Sequence, residues 1–217
     1  MHNKRILFAG LILAAAALAC SVGGATSSDE PGGETAVLLQ DDFSNPSTGW
    51  EIGDYQGGSV GYSDGIYFVT STESGGIMWG LSGHNFGDVD VTVEATQISG
   101  PDNDNNGYGI GCRIQANDDG YFLRISGDGY YSIARTDDGE FTYLVDWDTS
   151  NRINTGNATN TIRVVCSGDT LELYVNDRRV ADATDSTYTT GDITLTATTF
   201  ETTPTTVHFD NVVVREP

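Results

Sequence analysis

Apolar and polar residues alternate with a period of two along most of the chain from Asp42 onward. This is the period of a β-strand whose two faces meet different surroundings, and the alternating segments are rich in Val, Ile, Thr, Tyr and Phe, which favour strands. No segment keeps a helical period over several turns. The pattern predicts strands at 66–71, 89–98, 108–115, 121–126, 130–136, 141–147, 161–167, 170–175, 179–183, 192–200 and 206–215.

Short turn sequences separate these predicted strands. They include Asn-Gly at 106–107, Gly-Asp-Gly at 127–129, Asp-Gly at 138–139 and Asn-Asp at 176–177. Such turns join neighbouring antiparallel strands in hairpins. The sequence therefore predicts an all-β fold, a two-sheet antiparallel jelly-roll sandwich, in a single domain over residues 41–215.

The first twenty residues have a different pattern. Lys4 and Arg5 precede an apolar run that ends at Cys20, which is the layout of a secretory signal peptide over residues 1–19. The tetrapeptide at 17–20, Ala-Leu-Ala-Cys, resembles the bacterial lipobox, and this resemblance implies a lipidated Cys20 and an extracytoplasmic, membrane-anchored location at the cell surface. The alternative is ordinary cleavage after Ala19 with an incidental cysteine. Residues 20–36 offer almost nothing to bury and are predicted to form a flexible tether.

The charge of the chain restricts its partners. The formal net charge is −21, and loss of residues 1–19, which contain two basic residues and no acidic one, would make it −23. A chain this acidic repels nucleic acid and anionic membrane surfaces. We therefore expect no nucleic-acid partner, and contact with a membrane only through the lipid anchor.

Two cysteines, Cys112 and Cys166, remain after Cys20. Each shares the parity of apolar neighbours on its predicted strand, so both point to the core. Outside the cytoplasm such a pair can oxidise, which favours a disulfide, although two free buried thiols would also pack as small hydrophobic residues.

Several segments resemble the concanavalin A-like lectin/glucanase superfamily. They are Asp42-Phe43 with Thr48-Gly49-Trp50, residues 108–135, residues 170–176 and residues 209–214. Within it, the chain is most similar to laminin G-like and 3-keto-disaccharide hydrolase (DUF1080-like) domains over residues 41–215. This resemblance implies two packed sheets with sugar-type ligands on a concave face.

Catalytic motifs are weak in this sequence. Residues 61–65 match GxSxG, but a strand pattern follows where a nucleophile elbow needs a helix, so a hairpin turn is the better interpretation. The glucanase branch of the superfamily uses an ExDxxE strand motif, which does not occur here. Asp146 and Asp148 share one face of a strand, where a solvated edge is the simpler interpretation. We assign no catalytic residue.

Calcium is the one cofactor that the sequence suggests, at two places. Residues 102–107 fit the first half of a calcium loop and would bind through Asp102 and Asp104, but position twelve is Arg113 and a plain Asn-Gly hairpin is the alternative. The superfamily often holds calcium near its terminal strands, and the resemblance implies Asp42 and Asp210 for such a site.

Alternation also predicts a binding face opposite the core. Glycines, arginines, aromatic rings and hydroxyl groups fall on that face, and sugars are bound by such a mixture of flat rings and fixed hydrogen-bonding groups. A solvated sheet face with ordinary cross-strand pairs is the alternative. The predicted ligand-binding residues are Arg113, Gln115, Phe122, Arg124, Tyr130, Thr196, Thr198 and Phe200.

Three functions are compatible with these observations. The first is a surface-anchored module that binds carbohydrate without catalysis, which the absent carboxylate motif favours. The second is a hydrolase acting on glycosides or 3-keto-disaccharides. The third is a structural adhesion domain that binds protein.

Overall fold

The structure is a computed structural model that describes residues 35–217. The predicted signal peptide, Cys20 and most of the predicted tether lie outside the described residues. The strands are β1 Val37–Asp41, β2 Gly53–Tyr55, β3 Gly58–Ser63, β4 Ile66–Ser71, β5 Ile77–Leu81, β6 Val89–Ser99, β7 Asn106–Ile114, β8 Tyr121–Ile125, β9 Tyr130–Asp137, β10 Glu140–Thr149, β11 Thr159–Ser167, β12 Thr170–Val175, β13 Arg178–Thr184, β14 Asp192–Thr199 and β15 Thr205–Arg215.

These strands form two sheets in which every pairing between strands is antiparallel. The nine-stranded sheet has the order β13-β12-β11-β6-β15-β4-β3-β2, and β1 pairs with the second half of β15. The six-stranded sheet has the order β10-β9-β8-β7-β14-β5. The prediction of an all-β, two-sheet antiparallel sandwich is confirmed. Within residues 35–217 no helix is long and apolar enough to cross a membrane.

All eleven predicted strands are present, with ends within two residues of the predicted ones. Four further strands, β1, β2, β3 and β5, were not predicted. β2 has only three residues, and β3 contains two glycines. β1 and β5 contain consecutive apolar residues, so neither has the clean alternation that marks a half-buried strand. The predicted hairpin at the GxSxG match is confirmed, because Ser63 pairs with Ile66 across a two-residue turn.

The inner faces of the two sheets form one hydrophobic core. Val91, Val93 and Phe209 come from the nine-stranded sheet, and Ile110 and Leu123 come from the six-stranded sheet; all are at most 1% exposed. The predicted parity of β7 and β8 is therefore correct on the core side. Burial of side chains of this size stabilises a fold by about 1.5–3 kcal/mol each.

A disulfide joins the two sheets through this core. Cys112 lies in β7 and Cys166 in β11, and their Cα atoms are 6.8 Å apart. Both residues are fully buried. The bond holds the central strand of one sheet against the other.

We expect replacement of both cysteines by alanine to lower the free energy of unfolding by about 4 kcal/mol, because the cross-link restricts the unfolded chain over 54 residues. Denaturant unfolding of the oxidised wild type and of the double variant measures this difference. Under reducing conditions, the two proteins should unfold at similar denaturant concentrations. Equal stability without reductant would show that the bond is not formed.

Candidate functional site

Aromatic side chains of β10 cover the outer face of the six-stranded sheet, the face opposite the core. Phe141 and Tyr143 are two residues apart and point to this outer face. Register shifts on both sides of Val145 then change the alternation, so Val145 pairs with Ile133 and packs against the core. The second shift returns Trp147 to the outer face, where it lies over β8 and β7. One edge strand thus supplies three rings to this surface.

A single row of residues crosses the outer face from β5 to β9. The strand register places its members side by side in the order Trp79, Thr196, Gly109, Arg124 and Ser132. Gly109 contributes no side chain, so the guanidinium group of Arg124 has room at the middle of the row. The face therefore has a positive charge near its centre.

Arg124 is enclosed by the aromatic rings of β10. Its Cζ lies 5.1 Å from the ring centroid of Phe141 and 5.3 Å from that of Trp147, which are cation–π distances. The side chain is only 2% exposed. Burial lowers the pKa of Arg124, and the neighbouring Tyr143 hydroxyl opposes this lowering. Arginine stays protonated at any physiological pH, so the group is a fixed cation.

A cleft of about 440 Å³ opens beside Trp147. The Trp147 ring meets Phe200 edge to face, with centroids 5.8 Å apart. Tyr130 is 39% exposed and adds a third ring. A Cβ atom on Gly107 would lie 3.3 Å from the Trp147 ring, so the absence of a side chain there lets the indole lie close to the sheet. The lining residues are Asn105, Asn106, Ser126, Asp128, Tyr130, Trp147 and Phe200.

Hydrogen bonds of the side-chain amides of Asn106 and Gln97 stabilise one end of this cleft. The amide of Asn106 donates to the side-chain oxygen of Gln97 at 2.7 Å, and its own oxygen accepts from the N–H of Gly127 at 3.0 Å. Gln97 in turn donates to Asp104 at 2.7 Å. Both polar atoms of Asn106 are thus used within the protein. Asn106 positions the turn that carries Asp128, whose carboxylate accepts a hydrogen bond from Ser126.

The predicted ligand-binding residues fall into three groups. Tyr130 and Phe200 line the cleft. The second group lies on the outer face as predicted but is at most 2% exposed. Its members are Phe122, Arg124, Thr196 and Thr198. The β10 rings cover Phe122 and Arg124, and Thr196 donates to the carbonyl oxygen of Met78 at 3.0 Å. Phe122 packs under Phe141 with ring centroids 5.9 Å apart, so this predicted ligand-binding ring is covered by another ring and is only 1% exposed.

Arg113 and Gln115 form the third group, and the structure contradicts their predicted place on the binding face. Arg113 has a left-handed backbone (φ 55°) at a register shift between β7 and β14, which breaks the alternation. Its guanidinium donates to Asp88 at 2.8 Å and to the carbonyl oxygens of Gly168 and Tyr188 at 2.9 and 3.0 Å. The side-chain amide of Gln115 donates to the backbone carbonyl oxygens of Arg113 and Thr190, both at 2.7 Å. Both residues stabilise loops at the end of the sandwich.

Several side chains of the predicted calcium loop at 102–107 form hydrogen bonds with other protein groups. Asp104 accepts from Gln97, and the amide groups of Asn103 and Asn105 donate to Glu201 at 3.1 and 3.0 Å. The calcium site at Asp102 and Asp104 stays a prediction. The exposed Asp42 accepts from Ser44. The calcium site at Asp42 and Asp210 stays a prediction from the resemblance.

One group of three acidic residues in residues 35–217 has carboxylate oxygens within 4.8 Å of one another: Asp119, Asp137 and Asp138. Asp119 is buried, and both of its oxygens are occupied. They accept from the side chain of Asn117 at 2.7 Å and from the backbone N–H groups of Asp138 and Gly139 at 2.9 and 3.1 Å. This arrangement stabilises the turn between β9 and β10.

Sequence reasoning missed Phe141, Tyr143 and Trp147 as members of the site. All three residues lie in a predicted strand, and the two-residue spacing of Phe141 and Tyr143 indicates that their rings share one face of it. Trp147 has the same parity, and the two register shifts between Tyr143 and Asp148 remove only Val145 from this face. Asn105 and Asn106 were noted only as part of the predicted calcium loop, and Asn106 also as part of an Asn-Gly turn.

Comparisons with known proteins agree with this architecture. The family model of the 3-keto-alpha-glucoside-1,2-lyase-like domain matches residues 39–215. The carbohydrate-binding module CBM66 from Bacillus subtilis is similar in structure, with a TM-score of 0.55 and 21% identity over 77% of this chain and 96% of that chain. A Bacillus licheniformis beta-glucanase gives a TM-score of 0.63 and 14% identity over 82% of this chain and 98% of that chain. At these identities the similarities show the fold alone. None of the curated proteins matches the chain.

We expect Arg113→Met to lower the free energy of unfolding by about 2–4 kcal/mol, because it leaves two backbone carbonyls without their donor and breaks the pair with Asp88. Thermal and denaturant unfolding measure this loss. Arg152→Met, at an exposed arginine, is the control and should unfold like the wild type. An unchanged stability in Arg113→Met would contradict a structural role.

Proposed function

Because the chain belongs to the 3-keto-alpha-glucoside-1,2-lyase-like domain family over residues 39–215, we propose that the cleft on its outer face binds carbohydrate and does so without cleaving it. The observation that carries this proposal is the arrangement of Trp147, Phe200 and Tyr130 around one cleft with polar groups between them. Aromatic planes pack against the C–H faces of sugar rings, and fixed amides and carboxylates hydrogen-bond their hydroxyls. The structural similarity to a carbohydrate-binding module supports the same function.

The acidic groups of the cleft favour binding over hydrolysis. Glycoside hydrolysis generally uses two carboxylates at a defined separation. Among the described residues that line the cleft, Asp128 is the one carboxylate, and it accepts a hydrogen bond from Ser126. A single acid held in this way is suited to binding a sugar hydroxyl.

Cleavage of 3-keto-glucosides is the second candidate function, because the family description names a lyase. Asp128 would then be the acid or base that the cleft supplies. Incubation with 3-keto-glucosides and with neutral oligosaccharides, followed by detection of released sugar, separates the two functions. Release that is lost in Asp128→Asn would overturn binding without catalysis. If the protein neither binds these sugars nor releases sugar from them, an adhesion domain that binds protein would be favoured.

We expect Trp147→Ala to weaken glycan affinity at least about tenfold, because it removes one of the aromatic rings that line the cleft. Its melting temperature should change little, since Trp147 is a partly exposed residue of an edge strand. Tyr55→Ala removes an aromatic side chain that is 48% exposed on the other sheet, and this control should bind normally. Calorimetric titration with oligosaccharides identified on a glycan array measures both. Unchanged binding in Trp147→Ala would place the ligand elsewhere.

We also propose that the domain is held at the cell surface by a lipid on Cys20. The support is the sequence of a basic segment, an apolar run and a cysteine over residues 1–20. Several acyl chains together give stable membrane anchoring.

Cys20→Ala should abolish fatty-acid labelling and move the protein from the membrane fraction to the soluble fraction. Metabolic labelling with a fatty acid analogue, followed by fractionation, tests this expectation. Cys20→Ser is a closer steric match and should behave in the same way. A wild-type protein that takes up no label would refute the anchor.

A further inference from the structure

Three buried polar atoms on the outer face have no hydrogen-bond partner among residues 35–217. They are Arg124 Nε, Ser132 Oγ and Thr198 Oγ1. Buried polar atoms are nearly always hydrogen-bonded, because burial without a partner costs free energy. Arg124 and Ser132 are directly opposite each other on β8 and β9, so two of the three groups are neighbours. This concentration of unused donors lies next to the cleft.

Arg124 also has no carboxylate partner among the described residues. Arg113 provides a comparison within the same protein, since it is equally buried and forms an ion pair with Asp88 at 2.8 Å. A buried charge is normally paired, because removing it from water is costly. The rings of Phe141 and Trp147 offset part of this cost through cation–π contacts. They leave the positive charge without a negative partner.

We infer that the ligand of the cleft carries an acidic group, a carboxylate or a sulfate on a sugar, and that Arg124 and Ser132 bind this group. The inference rests on the proposed carbohydrate-binding function and names the class of glycan. A guanidinium presents a planar set of N–H donors that matches two oxygens of an oxyanion, and a serine hydroxyl adds another donor. Arg124 and Ser132 are buried beside the cleft rather than in its lining, and Trp147 both borders the cleft and stacks on Arg124. Binding of the acidic group therefore requires the Trp147 ring to move aside.

Negative charges near the cleft oppose an acidic ligand and help to orient it. Asp128 lines the cleft, and Glu201 follows Phe200 at its edge. The formal net charge of −21 acts over a longer range, but salt at physiological strength screens charges beyond about 8 Å. A group in contact with Arg124 therefore responds mainly to the guanidinium. Asp128 then favours a ligand whose acidic group lies at the Arg124 side of the cleft and whose neutral hydroxyls lie beside Asp128.

The inference is tested by titrating the protein with three sets of oligosaccharides of equal length: galacturonate, sulfated galactose and neutral glucose oligomers. Calorimetry at physiological salt gives the affinities. We expect the wild type to bind one acidic set at least about tenfold more tightly than the neutral set. Arg124→Met should remove this preference, and Ser132→Ala should reduce it without weakening neutral binding. Arg152→Met removes the same positive charge at an exposed position, and this variant should keep the preference for the acidic oligomers.

The separate outcomes distinguish this inference from the proposed function. Equal affinity for acidic and neutral oligomers would overturn the inference and leave carbohydrate binding intact. If no oligomer binds, the proposed function fails, and the anion site is tested by melting in sodium sulfate. Sulfate should then raise the melting temperature of the wild type more than that of Arg124→Met, and an equal rise would overturn the inference.

Stability provides a further test that needs no ligand. Replacing an unpartnered buried charge with an apolar side chain of similar length is often neutral or stabilising. We therefore expect Arg124→Met to melt no lower than the wild type, in contrast to Arg113→Met. If Arg124→Met unfolds as readily as Arg113→Met, Arg124 is a structural residue and the inference is wrong.

Discussion

The rest of the structure depends on the alternation of large and absent side chains along β7. The inward residues Tyr108, Ile110 and Cys112 belong to the core, and the outward positions between them are glycines at 107, 109 and 111. A Cβ atom on Gly109 would lie 2.3 Å from the carbonyl oxygen of Leu123, so a side chain there would push β8 away. Gly107 allows the Trp147 ring to lie against the sheet. The glycines thus permit both the tight strand pairing and the aromatic cover.

Burial of both faces of the central strands explains the different fates of two arginines. Every residue of β7 and β8 is buried, so a charged side chain on either strand needs a partner. The left-handed backbone of Arg113 turns its side chain away from the outer face, and the guanidinium donates to Asp88 and to two carbonyl oxygens at the end of the sandwich. Arg124 keeps the regular alternation and stays beneath the β10 rings, where no carboxylate is available among the described residues. One register shift therefore separates an arginine that is paired at the end of the sandwich from one that stays without a carboxylate partner beneath the aromatic rings.

The sequence was sufficient to predict the sandwich, the main strands and the core parity, because these follow from a local period of two. It was insufficient wherever the period breaks. Arg113 was placed on the wrong face because of the shift beside it, and Val145 lies on the core side although its parity matches that of the outward rings of β10. Burial of Phe122 was also missed, because it depends on Phe141, a residue two strands away in the same sheet. Alternation shows which face a residue occupies, but it does not show what covers that face.

Two acidic residues beside Trp147 stabilise the edge strand that carries this cleft-lining ring. An edge strand exposes unpaired N–H groups, which invite pairing with another chain. The carboxylate of Asp146 accepts from the N–H of Trp147 at 2.8 Å, and that of Asp148 accepts from the N–H of Thr149 at 2.7 Å. These bonds satisfy the backbone where the register shifts interrupt the ladder, and they add negative charge to the edge. The pair that resembled catalytic carboxylates therefore protects the bulged strand and fixes the backbone of Trp147, so its ring is held toward the cleft.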